Sequence, residues 1–360
     1  MDKKQWIRTI LFLLLVGVLL YYMCDLFETK NTHMSGRMVL YHEQEENVVD
    51  AVIIGSSGVD RFWNAAQAFE DYGMTVLPLS TDGVSSWIML NLTKEAFRNQ
   101  SPKLVIVDGR GFVRDVYEPS TNIDVVSRRV IDILPFFSAN RMDAIQRTVK
   151  TMRKVDPDSV PLLDVSYFFS FIRFHDMWES EEFSFDNIGT DPSAYLGMYM
   201  NKGAVISNEI HFSEGTDERE PLDDISEACL HELIDYLKGK DCEILFLITP
   251  HEAARPAFLR KYNTIQDIVE AEGIPCMFYT SKELMAEYGD IFDQKEDFYN
   301  AGHTNYHGAQ KFTALFAAYL DENYDLPDHR EDPRCKSWYS AMGNIQERLA
   351  SLEKKYGKKK

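Results

Sequence analysis

Cysteines are few in this chain, and no two of them are close in sequence. The 360 residues contain five: Cys24, Cys229, Cys242, Cys276 and Cys335. Thiolate zinc sites need closely spaced cysteine pairs, and small secreted domains stapled by disulfides are far richer in cysteine. The spacing therefore argues against a zinc–thiolate centre and against a disulfide framework. We expect neither a metal ion nor a cofactor.

Positive charge is also scarce. The chain has 38 Lys and Arg residues against 57 Asp and Glu residues, which gives a formal net charge of -19. Proteins that bind nucleic acid present a basic face to the phosphates. The charge balance therefore excludes nucleic acid as the expected partner. The sequence contains neither an internal repeat nor a low-complexity segment.

Only one long apolar run is present, close to the N-terminus. Residues 9–24 carry no charge and follow Lys3, Lys4 and Arg8. Residues 1–27 are predicted to be a cytoplasmic tip and a single transmembrane anchor, which leaves the main domain extracytoplasmic at the cell membrane. A cleaved signal peptide is the alternative, but no small-x-small cleavage site follows the run. A buried core helix is disfavoured by the adjoining basic residues.

The rest of the chain divides by its pattern. Residues 28–46 are polar and are interpreted as a stalk, 47–325 as one domain with an inserted helical and loop region at about 115–240, and 326–360 as a C-terminal extension. Short apolar runs alternate with helical patterns, which predicts a three-layer α/β/α fold with a parallel central sheet. The predicted strands are 48–54, 75–79, 104–107, 243–248 and 275–279. The insertion is expected to cover the carboxyl edge of the sheet.

Polar residues follow four of these predicted strands, at 55–57, 79–83, 108–110 and 249–251. The carboxyl ends of parallel strands share one edge, where α/β proteins bind their ligands. One of these residues, Ser57, needs a neighbouring base to become a nucleophile. His303, in a predicted loop before the last helix of the domain, could supply that base. His303 and His307 also have a zinc-like spacing, but no Glu lies between them, so metal binding is disfavoured.

On these motifs, residues 48–323 resemble the SGNH (GDSL-type) hydrolase superfamily. Within it the chain is most similar to membrane-anchored bacterial proteins related to the D-alanyl transfer protein of teichoic acid modification. Gly55-Ser56-Ser57 matches the Gly-Asp-Ser block, which implies that Ser57 is the nucleophile. Asn300-Ala301-Gly302-His303 matches the Asp-x-x-His block, and Gly83 matches the oxyanion-hole glycine. The resemblance implies an SGNH-like, flavodoxin-like arrangement of the sheet.

The position of the triad acid differs from the family pattern, because Asn300 stands where an aspartate is expected. Three arrangements remain open: the Asn300 carbonyl orients the imidazole, Asp297 swings in as the acid, or a serine–histidine dyad works alone. In serine proteases, replacing the acid by Asn lowers the rate about 10⁴-fold. A fourth alternative is a crevice that only binds.

The remaining candidates are expected to contact the oxyanion or the substrate. Asp108 ends the third strand where the family has an Asn, and Arg110 follows it. The charge of Arg110 could replace the missing donor or bind an anionic polymer; a surface salt bridge is the alternative. Asn305, just after the histidine motif, completes this group with Gly83.

The resemblance implies a function. It implies an extracytoplasmic, membrane-anchored serine esterase or acyltransferase that acts on acyl esters, acetyl or alanyl, of a cell-wall or exported polysaccharide. It also implies a multi-spanning membrane O-acyltransferase as a partner. The alternative is a catalytically degenerate protein that binds the polymer or assists its acylation.

Overall fold

A computed structural model describes residues 2–27, 33–158, 165–169, 172, 192–206 and 210–356. Part of the predicted stalk (28–32) and parts of the predicted insertion (159–164, 170–171, 173–191 and 207–209) lie outside the described residues. The helices with described bounds are α1 Lys3–Phe27, α2 His33–Glu43, α3 Ser57–Asp60, α4 Ala65–Tyr72, α5 Ser86–Ala96, α6 Ile123–Ile131, α7 Ala139–Val155, α8 Asp224–Lys238, α9 Pro256–Ala271, α10 Lys282–Tyr288, α11 Tyr306–Asn323 and α12 Lys336–Tyr356. The strands are β1 Ala51–Gly55, β2 Val76–Ser80, β3 Leu104–Asp108, β4 Glu243–Ile248, β5 Cys276–Phe278, β6 Phe298–Asn300 and β7 His303–Thr304.

The first five strands form one parallel sheet in the order β2-β1-β3-β4-β5. Every residue of β1, β2 and β3 is buried, so both faces of the sheet are covered, as their unbroken apolar sequences predict. The predicted α/β class with a parallel sheet is confirmed. The chain goes from β1 outward to β2 and then crosses back to β3, which creates a switch point between the carboxyl ends of β1 and β3.

Helices from the predicted insertion pack on α5, which itself lies against the sheet. Helix α5, which packs on β1, contacts both α7 and α8. Helix α4, which packs on β2, contacts α11 and α12. The segment predicted as an insertion therefore contributes ordinary helices of the domain, and the C-terminal extension buries Trp338 and Ile345 of α12.

The predicted stalk differs from the structure at residues 33–43, which form α2 against the domain. Arg37 forms an ion pair of 3.0 Å with Asp60, and both side chains are fully buried. Tyr41 is buried as well, and its hydroxyl donates to the Ala96 carbonyl at 2.8 Å. The polar composition of this segment suggested exposure, but its charges are paired inside the fold.

Helix α1 is the one helix in the described part of the chain that is long and apolar enough to cross a membrane. Its apolar window covers Lys3–Met23, and none of that window is buried in the protein. Leu11, Phe12, Leu13 and Leu14 are each exposed over about three fifths of their surface. An exposed apolar helix of this length is consistent with a single-pass anchor.

The histidine motif lies on a small hairpin that the sequence predicted as a loop. Strands β6 and β7 pair antiparallel, and Asn300 is the direct partner of His303. Two residues, Ala301 and Gly302, form the turn between them. The hairpin leads through Asn305 into α11 and holds the histidine beside the carboxyl end of β1.

Candidate active site

Ser57 lies at the switch point, immediately after β1. The strand ends at Gly55, where a Cβ atom would lie 2.2 Å from Cβ of Asp108, so only glycine lets β1 and β3 approach this closely. Ser56 then caps the short helix α3, and its Oγ accepts from the Gly58 N–H at 3.3 Å. The next residue, Ser57, therefore presents its side chain at the carboxyl edge of the sheet.

His303 meets Ser57 across 246 residues of sequence. Its Nε2 lies 2.7 Å from Ser57 Oγ, and its Nδ1 lies 2.8 Å from Asn300 Oδ1. The Asn300 oxygen also accepts from the Gly302 N–H at 3.0 Å, so the carbonyl oxygen, not the amide nitrogen, faces this turn. Nδ1 must then carry the proton and donate to Asn300. Nε2 is left with a lone pair that accepts the Ser57 hydroxyl, as a general base requires.

Tyr299 fixes the plane of the imidazole. Its ring stacks on His303 with centroids 5.4 Å apart and an angle of 11°. Its hydroxyl accepts from Arg61 Nε at 3.3 Å, and burial raises the pKa of Tyr299 to about 12. No sequence pattern marked Tyr299 or Arg61 as part of the site, although Tyr299 directly precedes the Asn300 motif.

The charge state of His303 follows from its surroundings. Burial lowers the pKa of His303 to about 3, and the positive charges of Arg110 and Arg61 act in the same direction, while Asp82 opposes them. The ring is therefore neutral near pH 7 and ready to accept a proton. Within the described residues no carboxylate forms an ion pair with His303, so the imidazolium that would follow has only the Asn300 carbonyl beside its Nδ1–H.

Asp297 does not act as the missing acid in this structure. Its carboxylate is buried and accepts from Lys311 Nζ at 2.6 Å and from the Asp293 N–H at 2.7 Å. These contacts hold the loop before β6 against α11. Of the arrangements left open by the sequence, the geometry selects the Asn300 carbonyl as the partner of His303.

Asp108 serves the architecture of the site. Its Oδ2 accepts from the N–H of Ser56 at 3.1 Å and from Ser56 Oγ at 2.6 Å, and its Oδ1 accepts from the Arg110 N–H at 3.0 Å. The Asp108 side chain is buried, and both of its oxygens are hydrogen-bonded within the protein. Asp108 therefore positions the turn at Ser56, whereas the sequence suggested that it contacts the substrate. The Ser56 hydroxyl thus links β1 to β3.

Asn305 has a similar structural role. Its Oδ1 accepts from the N–H groups of His307 and Gly308 and so caps α11. Its Nδ2 donates to the carbonyls of Val205 and Glu296. Asn305 is buried, so it positions the hairpin and does not face a substrate, which differs from the sequence-based expectation.

Arg110 and Gly83 do lie at the crevice. Both line a cavity of about 180 Å³ beside Ser57, together with His251, Phe258 and Tyr262. Arg110 donates to the Gly302 carbonyl at 3.3 Å and forms no ion pair with any described residue, so it is not the surface salt bridge considered above. Gly83 has a φ of 70°, a conformation that favours glycine.

Two backbone amides are available at this cavity. Within the described residues the N–H groups of Ser57 and Gly83 make no hydrogen bond. Both residues line the same cavity. Unpaired amides beside a nucleophile can stabilise an oxyanion, and losing one such donor costs roughly 10²–10³ in rate.

His251 is a buried neighbour of the site. Its Nδ1 donates to the Thr249 carbonyl at 2.7 Å, and Tyr262 donates its hydroxyl to Nε2 at 3.2 Å. Burial holds the pKa of His251 well below its usual value, so this ring stays neutral. Both ring nitrogens are occupied, and His251 therefore shapes the cavity wall.

Both ring nitrogens of His303 are hydrogen-bonded, to Ser57 and to Asn300, so neither is directed to His307. Among the described residues, His329, Asp332 and Cys335 form a cluster of three side chains with metal-like spacing. His329 bonds to Asp50, just before β1, so this group lies at the opposite end of that strand from Ser57. The site at Ser57 is thus a chain of serine, histidine and asparagine beside a small cavity.

No protein-family model matches this chain, and no curated protein is similar enough to it to count as a match.

Proposed function

We propose that this protein is a membrane-anchored serine esterase or acyltransferase. The observation that carries the proposal is the continuous chain from Ser57 Oγ to His303 Nε2 (2.7 Å) and from His303 Nδ1 to Asn300 Oδ1 (2.8 Å). Ser57 is the nucleophile, His303 the general base, and Asn300 the residue that fixes the tautomer of the base.

The acylation step uses these groups in sequence. His303 Nε2 takes the proton of the Ser57 hydroxyl as Oγ attacks the carbonyl carbon of an ester. The carbonyl oxygen becomes an oxyanion, which the N–H groups of Ser57 and Gly83 and the charge of Arg110 stabilise. The tetrahedral intermediate then expels the alcohol, which receives the proton from His303, and leaves an acyl–Ser57 ester.

The second half-reaction decides between hydrolysis and transfer. His303 takes a proton from water or from a polymer hydroxyl, and the resulting oxygen attacks acyl–Ser57. The ester bond to Ser57 breaks, and His303 returns the proton to Oγ. Water yields a carboxylic acid, and a polymer hydroxyl yields a new ester.

The substrate class rests on the resemblance noted in the sequence and on the size of the cavity. A volume of about 180 Å³ is small beside the roughly 300–1,000 Å³ of most ligand pockets and suits a short acyl group such as acetyl or alanyl. We place that acyl group on a cell-wall or exported polysaccharide, with the domain extracytoplasmic, α1 as a retained anchor and a multi-spanning membrane O-acyltransferase as the partner.

Active-site labelling tests the nucleophile directly. The full chain in detergent should react with a fluorophosphonate probe and hydrolyse p-nitrophenyl acetate, and Ser57→Ala should abolish both. Ser101→Ala is the matched control, because Ser101 is exposed in the loop before β3 and should leave both signals unchanged. Equal labelling of wild type and Ser57→Ala would contradict the proposal.

A specific observation favours a second function. No described carboxylate pairs with His303, and the lowered pKa of that ring makes proton uptake costly. The same crevice could therefore bind an acylated polymer, or assist its acylation, without turnover. In that case wild type would remain unlabelled, yet the acylated polymer would bind, and Arg110→Ala would weaken that binding.

A further inference from the structure

A pair of phenylalanines next to the apolar helix α1 is not explained by the proposed chemistry. Phe137 is 89% exposed, more than any other large apolar residue described outside α1. Phe136 precedes it, and the two rings meet edge to face at 4.8 Å. An aromatic side chain this exposed is costly in water and common where a protein meets a membrane.

The loop that carries these rings is held firmly at both ends. It joins α6 to α7, begins after the buried Leu134, and ends at Ser138, whose Oγ accepts from the Arg141 N–H and caps α7. The Arg141 guanidinium lies 5.1 Å from the Phe136 ring centroid and donates to the Leu134 carbonyl at 3.0 Å. The exposure of Phe137 is therefore a fixed feature of the fold.

The position of α1 indicates what covers the pair. Tyr21 of α1 contacts Phe136 at 6.4 Å between ring centroids. A space of about 500 Å³ lies between Phe137 and one face of α1. On the side of α1 this space is lined by Ile10, Leu13, Leu14, Gly17, Val18 and Tyr21. The walls are almost wholly apolar, and the helix is apolar enough to cross a membrane. Acyl chains of lipid would fill such a space.

We propose that Phe136 and Phe137 insert into the bilayer leaflet facing the domain, next to α1, with lipid acyl chains between Phe137 and the helix. The domain would then touch the membrane at two places, the anchor and this loop. Two contacts fix its orientation, whereas an anchor alone leaves it free to rotate.

This orientation has a consequence for the crevice, and the consequence rests on the proposed function. Arg129 of α6 donates to the Asp82 carbonyl, next to Gly83. Arg129 and Phe137 are eight residues apart, so the chain allows roughly 26–29 Å between them at full extension. The crevice would therefore bind its acyl donor or acceptor close to the membrane surface.

Depth-dependent quenching tests the insertion. The full chain is reconstituted into phosphatidylcholine vesicles with or without brominated acyl chains, and tryptophan emission is compared between wild type and Phe137→Trp. The added emission at position 137 should be largely lost in brominated vesicles. Ile291→Trp is the matched control, because Ile291 is 41% exposed on another part of the domain, and its added emission should persist.

Two results would overturn the proposal. Emission at position 137 that is unaffected by bromine but quenched by aqueous iodide would show that the ring faces water. Emission insensitive to both quenchers would show that protein, such as a second copy of the chain, covers it. The same measurement in a Ser57→Ala background should give the same quenching, so failure of the proposed catalysis leaves this test intact.

Discussion

Asn300 is the residue on which the chemistry of the site depends. An amide oxygen can hold the correct tautomer of His303, and it does so here because the Gly302 N–H keeps that oxygen facing the ring. An amide cannot offer the negative charge that stabilises an imidazolium. In the serine-protease example, most of the loss on changing Asp to Asn comes from the wrong tautomer. If the proposed function is right, this protein avoids that part of the loss and keeps the electrostatic part.

Replacing Asn300 by Asp should therefore raise activity. A carboxylate next to Nδ1 should raise the pKa of His303 from its value of about 3 and stabilise the protonated ring formed during attack. We expect kcat/KM for p-nitrophenyl acetate to rise by about tenfold or more at pH 7. The neutral ring is the active form, so the acid limb of the pH–rate profile should move to higher pH in Asn300→Asp.

Asn300→Ala is the paired variant. It removes the acceptor for Nδ1–H, so kcat should fall while the overall fold remains intact. If Asn300→Asp showed no gain and wild type had no activity to begin with, the binding function would be the better account.

At the scale of elements, the hairpin β6–β7 and helix α11 act as one unit that delivers His303. Their junction is tight: a Cβ atom at Gly308 would lie 2.2 Å from the Asp297 carbonyl oxygen. The same Asp297 carbonyl accepts a hydrogen bond from the Asn305 N–H, and the Asp297 carboxylate accepts one from Lys311 Nζ. Asp297 and Asn305, which the sequence suggested as catalytic or binding residues, instead fix where the hairpin meets the helix.

Gly308→Ala should accordingly destabilise the protein. The new methyl group must push the Asp297 carbonyl away, and we expect a loss of about 2 kcal/mol or more in the free energy of unfolding. Chemical denaturation of the detergent-solubilised chain measures this loss, and esterase activity should fall with it as His303 shifts.

Gly343→Ala supplies the comparison. Gly343 lies within α12 and a Cβ there would meet nothing within 4 Å, so alanine should stabilise that helix by up to about 1 kcal/mol. If both substitutions changed the free energy of unfolding by the same amount, the junction would accommodate a methyl group at position 308 without strain, contrary to this prediction.

At the scale of the whole molecule, a buried charge network joins the N-terminal segment to His303. Arg37 of α2 and Arg61 both pair with Asp60. Arg61 then reaches Asp82 at 2.9 Å and the hydroxyl of Tyr299, which stacks on His303. Helix α2, which follows the apolar helix α1, is thereby connected, contact by contact, to the site.

Arg37→Ala should destabilise the protein, because it breaks this network. Removing one partner leaves the buried Asp60 carboxylate with less compensation, which typically costs about 3–5 kcal/mol. We expect a large drop in the midpoint of thermal unfolding. Arg219→Ala, which breaks an exposed pair with Asp267, should change stability by less than about 1 kcal/mol. A small effect at Arg37 would mean that α2 is only loosely attached.

The alternation of apolar runs and helical patterns was sufficient to predict the parallel sheet, because strand and helix periodicity depend on near neighbours. The five predicted strands overlap β1 to β5, and β4 agrees at both ends. The motif around His303 was also recognisable, because Asn300 and His303 face each other within a single tight turn.

Contacts between residues that are distant in the chain could not be predicted from sequence patterns. The polar composition of residues 33–43 suggested a stalk, but Asp60 pairs with Arg37 inside the fold. Asp108 and Asn305 have the residue types of binding groups, and only their partners show that they hold the backbone in place.

The sequence by itself determined the class of fold, the exposed apolar helix and the two residues that could form a nucleophile and its base. These properties reside in local pattern and residue type. The tertiary structure decided that Ser57 and His303 meet, that Asn300 and not Asp297 is the partner of the ring, and that α2 belongs to the domain. The first and the last of these depend on contacts between residues tens to hundreds of positions apart along the chain, which local pattern does not reveal. The choice between Asn300 and Asp297, both within six residues of His303, depends on the Asp293 N–H and Lys311, which hold the Asp297 carboxylate elsewhere.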